Sequence, residues 1–140
     1  MDRERGEPTK AEIDTLQLAA EGAAANAYAP HSQFRVGAAL RLITGDIVTG
    51  ANVENASYGL TICAERSAVC TMIAQYGPAV RIDAVCVTNL NKTASSPCGA
   101  CRQVLAEFMD DDAWVIFPGA NGQQEIRQLS ELLPFGFHLA

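Results

Sequence analysis

The chain predicts an α/β layered sheet, and three observations predict it. A capped, Ala-rich helical stretch opens the chain, a pair of apolar runs joined across Gly45-Asp46 follows, and two further helix starts, at Cys63 and Pro97, alternate with apolar strand-like runs. At 140 residues the chain suits one compact domain spanning 1–140.

Thr9-Lys10-Ala11-Glu12 has the spacing of a capping box, and the Ala-, Leu- and Glu-rich stretch behind it predicts a first helix to about Tyr28. Pro30, His31 and Ser32 end it. Val36 to Ile43 and Ile47 to Asn52 read as a β-hairpin. Val53 to Leu60 reads as an irregular loop, and Ile62 to about Tyr76 as a second helix stopped by Gly77-Pro78, with Cys63 at its beginning. Val80 to Thr88 is expected to be a buried third strand. Pro97 suits the first turn of a third helix running from Cys98 to about Met109. Asp110-Asp111-Asp112 reads as a solvated break. Ala113 to Phe117 gives a fourth strand, Gln124 to Arg127 a fifth, and Leu129 to Leu133 a short closing helix.

Composition narrows the function classes. Sixteen acidic against ten basic residues leave a formal charge of −6, with no basic run, so nucleic acid is not an expected partner. No stretch approaches the ~18 consecutive apolar residues of a membrane span, so no membrane partner is expected either. The polar start, Met1 to Pro8, has no apolar core before a cleavage site, and the expected location is cytoplasmic. Five cysteines, an odd number without an export signal, point to metal or redox chemistry rather than a disulfide framework.

Pro97-Cys98-Gly99-Ala100-Cys101 places two thiols three residues apart at a helix start, where they share a face and the helix N-terminus favours thiolates. A redox dithiol has the same spacing, so a third ligand decides. Cys63 supplies it at the start of the second helix. Three sulfurs leave the fourth tetrahedral position of a zinc ion to water, as in catalytic sites. Glu65, two residues on, is the carboxylate placed to accept that water's proton.

Cys63-Ala64-Glu65 followed by Pro97-Cys98-Gly99-Ala100-Cys101 resembles the cytidine deaminase signature. The likeness extends through Phe34, Val36-Gly37-Ala38-Ala39, Asn52 to Gly59 and Arg102 to Leu105, and covers about Tyr28 to Phe137. With cysteine as first ligand, the chain looks like the small homotetrameric nucleoside deaminases. The resemblance implies a three-layer α/β/α fold with a central mixed five-stranded sheet, one zinc ion per subunit on Cys63, Cys98 and Cys101, and Glu65 as the catalytic proton carrier. It implies hydrolysis of cytidine and 2′-deoxycytidine to uridine and 2′-deoxyuridine with release of ammonia, with water as co-substrate and active sites shared in a homotetramer.

By the same resemblance Arg66 hydrogen-bonds the ligand sulfurs, offsetting the negative charge of three thiolates. Asn52 and Glu54, two apart at a strand end, face one way and by resemblance hold the ribose 3′-hydroxyl. Phe34, Ala64 and Phe137 complete the implied substrate contacts, Phe137 reaching a neighbouring subunit, and Tyr58 matches an intersubunit position. Arg35 stands where many relatives have proline. Cys70 and Cys86 are expected to be buried and inert, and His31 and His138 receive no role. A deaminase of a blasticidin-type nucleoside antibiotic would share every catalytic residue, and a non-catalytic zinc or dithiol redox module is the alternative of another class.

Overall fold

The computed structural model describes residues 5–139. Helix α1 spans Lys10–Ala24 and carries the expected capping box: Glu12 N–H donates to Thr9 Oγ1 at 3.2 Å, and Thr9 N–H donates to the Glu12 carboxylate at 2.9 Å. Its buried stripe is Ile13, Leu16, Ala20 and Ala24. The helix stops before Tyr28. Tyr28 is drawn into an extended bridge with Val53 instead, its N–H donating to Asn52 O and its carbonyl accepting from Glu54 N–H. Helix propensity yields there to a tertiary pairing.

Strands β1 (Val36–Leu42) and β2 (Ile47–Ala51) form the expected antiparallel hairpin. Helix α2 (Ala64–Tyr76) begins with Cys63 as its N-cap and ends at Gly77, whose φ of 83° suits a glycine. Strand β3 (Ile82–Asn89) pairs antiparallel with the other side of β1. Helix α3 (Gly99–Ala106) follows, then β4 (Met109–Pro118), parallel to β3. Strand β5 (Gln124–Gln128) pairs antiparallel with β4, and α4 (Leu129–Leu132) closes the chain. The sheet order is β2-β1-β3-β4-β5, a mixed five-stranded sheet.

Strand alternation sorts the core into two layers. Ala39, Ala84, Cys86 and Ile116 pack against Ile13, Leu16 and Ala20 of α1. Ala38, Leu40, Val85, Val87 and Val115 pack on the opposite face against Ala68 and Met72 of α2, Leu105 of α3 and Leu129 of α4. The fold is therefore the expected three-layer α/β/α arrangement, with one helix on one face and three on the other.

Two further elements depart from the sequence reading. Pro97 lies outside α3, because Cys98 takes the cap position with its sulfur accepting from Cys101 N–H at 3.5 Å, and α3 ends at Ala106 rather than Met109. Asp110, Asp111 and Asp112 are not a break between elements. They belong to β4, where the ladder to β3 skips from Ile82↔Met109 to Ala84↔Trp114 and lets the acidic side chains point to solvent. Arg81 meets Asp110 at 2.7 Å, and Arg5 spans Asp83, Asp110 and Asp112, so arginines tie the acidic bulge to neighbouring segments.

The hairpin glycines set how closely the helices approach. A Cβ on Gly37 would stand 1.9 Å from Ala20 O, and one on Gly50 would stand 2.4 Å from Ala68 N and 2.7 Å from Ala64 O. Both obstacles are helix backbone, which cannot rotate away. Gly50→Ala is expected to destabilise the protein by roughly 1–3 kcal/mol through overpacking and to lift the first turns of α2, read as a fall in Tm. An unchanged Tm would show that α2 does not need this close approach.

Candidate active site

Strands β2, β3 and β4 all run toward one edge of the sheet, since β1 is antiparallel to both β2 and β3, and β4 is parallel to β3. The segments leaving that edge carry the chemistry. Asn52 and Glu54 follow β2, Phe34 precedes β1 at the same edge, Cys63 opens α2 after β2, and Cys98 opens α3 after β3. In open α/β sheets, ligands collect at the carboxyl ends of strands for this reason.

The sulfurs of Cys63, Cys98 and Cys101 all lie within 4.8 Å of one another, and Cys63 Sγ is 4.0 Å from Cys98 Sγ. Tetrahedral thiolates about 2.3 Å from zinc would stand about 3.8 Å apart. The donor set therefore fits that ion in number, type and spacing. Cys63 is half-buried, Cys98 exposed and Cys101 fully buried, so the open side of the cluster lies toward Cys98.

Charge around the cluster favours the thiolate at Cys63. A hydrogen bond from the Cys101 thiol, followed by the Arg66 guanidinium, holds Cys63 down to about 5, while that same bond and burial push Cys101 up. Arg66 Nη2 donates to Cys63 Sγ at 3.3 Å, the contact the sequence resemblance implied. Its Nε is buried without a protein partner. Glu65, only 5% exposed, sits on the first turn of α2. Burial, with the Cys63 charge adding to it, raises its carboxyl above the ordinary glutamate range.

The cluster and Glu65 make this edge of the sheet the candidate centre, and comparison with known proteins identifies it. Residues 10–117 match the family model described as the cytidine and deoxycytidylate deaminase zinc-binding region. The chain belongs to this deaminase family. A cytidine deaminase from Halalkalibacterium halodurans is 46% identical over 112 residues, covering 79% of this chain and 83% of that one. A Mycobacterium tuberculosis cytidine deaminase is 43% identical over 117 residues, covering 84% and 83%. Among solved structures, a mutant M. tuberculosis cytidine deaminase superposes with a TM-score of 0.80 at 40% identity, covering 90% of this chain and 94% of that chain. The Burkholderia pseudomallei enzyme gives 0.79 at 39%, covering 89% and 98%. The family region that matches is a zinc-binding one, and the three cysteines are positioned to bind that metal ion.

The other residues singled out in the sequence fall in three groups. Asn52 and Glu54 share a face, as expected, but neither is idle. Asn52, 8% exposed, accepts from Val36 N–H at 2.9 Å and donates to Phe34 O at 2.8 Å. Glu54 Oε1 accepts from the N–H groups of His31 at 2.9 Å and Ser32 at 3.1 Å, and Oε2 accepts from the Ser32 hydroxyl. Between them the two side chains fasten the 31–36 loop and so set the half-buried Phe34 ring. Sequence reasoning missed Ser32, although a serine in the turn before β1 was a visible signal.

Ala64 and Phe137 do not meet at the cluster within one chain. The Ala64 side chain is fully buried in the core beneath α2, which leaves its backbone as what it can offer a ligand. Phe137 is 69% exposed, and its backbone N–H and carbonyl pair with the Gln103 side chain at 3.1 and 2.8 Å. It lines a hollow with Arg81, Met109 and Asp110, at the sheet edge opposite the sulfurs.

The two spare cysteines differ. Cys86 is buried, and burial with the nearby Glu21 charge pushes its thiol up to about 12. Cys70 is exposed, contrary to the sequence expectation, because α2 turns Ala68, Val69 and Met72 inward and position 70 outward. Among the described residues no helix is long and apolar enough to cross a membrane.

Proposed function

We propose that this chain is a cytidine deaminase: a zinc-dependent hydrolase that converts cytidine and 2′-deoxycytidine to the uracil nucleosides and ammonia in pyrimidine salvage. One observation carries the reading: three thiol ligands converge beside a buried carboxylate, Glu65, on the first turn of α2. Cys63, Cys98 and Cys101 would hold the metal. Zinc bound there lowers the pKa of water from about 15.7 to as little as ~7, which makes it a nucleophile at neutral pH.

The chain's own residues do the rest. Glu65 takes a proton from water as the water oxygen adds to C4 and delivers it to N3; it then takes the second proton from the new C4 hydroxyl and gives it to the amine, so that ammonia leaves as the C4 carbonyl forms. Its burial suits the role, because a carboxyl raised above its ordinary range holds a proton more readily between the two transfers. Arg66 keeps the sulfur cluster from becoming too negative to support that transfer.

Substrate recognition follows from what remains unpaired at Asn52 and Glu54. An amide offers two N–H bonds and two lone pairs, and a carboxylate about four acceptor sites. After their loop contacts, Asn52 keeps one N–H and one lone pair and Glu54 keeps one acceptor site, so together they can donate to and accept from one sugar hydroxyl. This supports the 3′-hydroxyl reading. Phe34, fastened by the same pair, supplies an apolar wall for the base.

The wider reading is a single deaminase domain over 1–140 that works as a homotetramer with shared sites in the cytoplasm, without nucleic-acid or membrane partners. What supports sharing is apolar exposure: Tyr58 is 79% exposed near the loop that carries Glu54, and Phe137 faces away from its own cluster. Light scattering tests the tetramer. A dithiol redox module is disfavoured by the third converging sulfur, and an antibiotic deaminase by relatives that are cytidine deaminases.

The deciding experiment is to incubate zinc-loaded protein with a panel of aminated nucleosides and follow base absorbance. Conversion of cytidine and deoxycytidine is expected. Conversion of no aminopyrimidine nucleoside would overturn the function.

A further inference from the structure

We propose that Ser32 is a positioning residue for sugar recognition, its hydroxyl locking the Glu54 carboxylate in the orientation that accepts the sugar 3′-hydroxyl. This rests on the sugar-binding reading of Glu54 given above. The observation is a short relay at the edge of the site. Ser32 Oγ accepts from Phe34 N–H at 3.0 Å and donates to Glu54 Oε2. Because a hydroxyl has one hydrogen, the amide of Phe34 fills an acceptor position and directs that hydrogen at the carboxylate.

The two carboxylate oxygens are held differently. Oε1 takes two backbone donors, from His31 and Ser32, which survive any side-chain change in the loop. Oε2 has a single protein donor among the described residues, the Ser32 hydroxyl. Removing that hydroxyl frees Oε2 to turn about the Oε1 anchor without dissolving the loop. The acceptor would then have to be ordered again each time substrate binds. Since sugar contacts are made before and during the chemical step alike, the loss should fall on KM and leave kcat nearly alone.

Ser32 also joins sugar and base recognition. The backbone amide that orients its hydroxyl belongs to Phe34, whose carbonyl in turn accepts from Asn52. Of the two polar residues assigned to the sugar, Asn52 is thus bonded directly to the residue assigned to the base, and Glu54 is linked to it through the Ser32 side chain.

The test compares Ser32→Ala, Ser32→Thr and Glu54→Gln with the wild-type zinc enzyme on cytidine and on 3′-deoxycytidine. A hydrogen bond to a charged group corresponds to roughly 10- to 100-fold in binding. Ser32→Ala is therefore expected to raise KM for cytidine by about that factor, with kcat little changed, and to lose most of the preference for the 3′-hydroxyl. Ser32→Thr, which keeps the hydroxyl, should restore both. A wild-type KM in Ser32→Ala, with Glu54→Gln losing the 3′-hydroxyl preference, would overturn the role of Ser32 while leaving that of Glu54. If Glu54→Gln itself keeps the preference, the sugar-binding reading falls and this proposal with it. Should Ser32→Ala fail to fold, Ser32→Gly also removes the hydroxyl and adds no bulk, and a wild-type KM there would equally overturn the proposal.

Discussion

Glu65→Gln is expected to leave zinc bound and to reduce turnover by up to about 10⁴-fold, the upper range for loss of a positioned acid–base group. Glutamine fills the same volume at a site only 5% exposed, so packing of α2 against the sheet is preserved. It also leaves the three sulfurs untouched. What it removes is the ability to carry two protons in turn, the first from water to N3 and the second from the new C4 hydroxyl to the amine. Zinc content by elemental analysis and kcat on cytidine measure the two halves of the prediction. Full activity with zinc retained would remove Glu65 from the mechanism, and zinc loss would show that its carboxylate is needed to hold the cluster rather than to move protons.

Much of this geometry was readable in the chain, for physical reasons that differ by element. The capping box at Thr9, the hairpin across Gly45 and the Gly77 stop are local devices, and each stands where its residues indicate. The three cysteines were legible because both helix starts are signalled locally, and a helix N-cap puts its side chain at a predictable place. What the sequence hid are outcomes of pairing at a distance. Tyr28 leaves its helix for a bridge to Val53, and Asp110 to Asp112 are carried within β4, where Arg5 pairs with Asp110 and Asp112 and Arg81 with Asp110. Asn52 and Glu54 had the right face but an unseen partner, since the bonds that hold them come from residues about 20 positions earlier. Cys70 was misplaced because an apolar pattern on a short helix does not say which thiol faces out.

Cys101→Ser should cost the protein its metal, its activity and part of its stability together. Cys101 is the fully buried member of the cluster, on the first turn of α3, and the hydrogen bond it shares with Cys63 is the largest influence on both thiols. A serine hydroxyl is a hard donor that stays protonated at neutral pH, so zinc would be left with two sulfurs and its affinity would collapse. Because binding energy at a site formed only on folding is also folding energy, Tm should fall toward that of the chelated wild type. Cys98→Ser is expected to lose metal and activity as well, with a smaller loss of Tm in the metal-free comparison, since that side chain is exposed and little packing depends on it. Cys70→Ser and Cys86→Ala should keep zinc and turnover, which separates a catalytic three-sulfur centre from a structural site closed by a fourth thiol. Stoichiometric zinc in Cys101→Ser, or metal loss in either control, would defeat the three-ligand assignment.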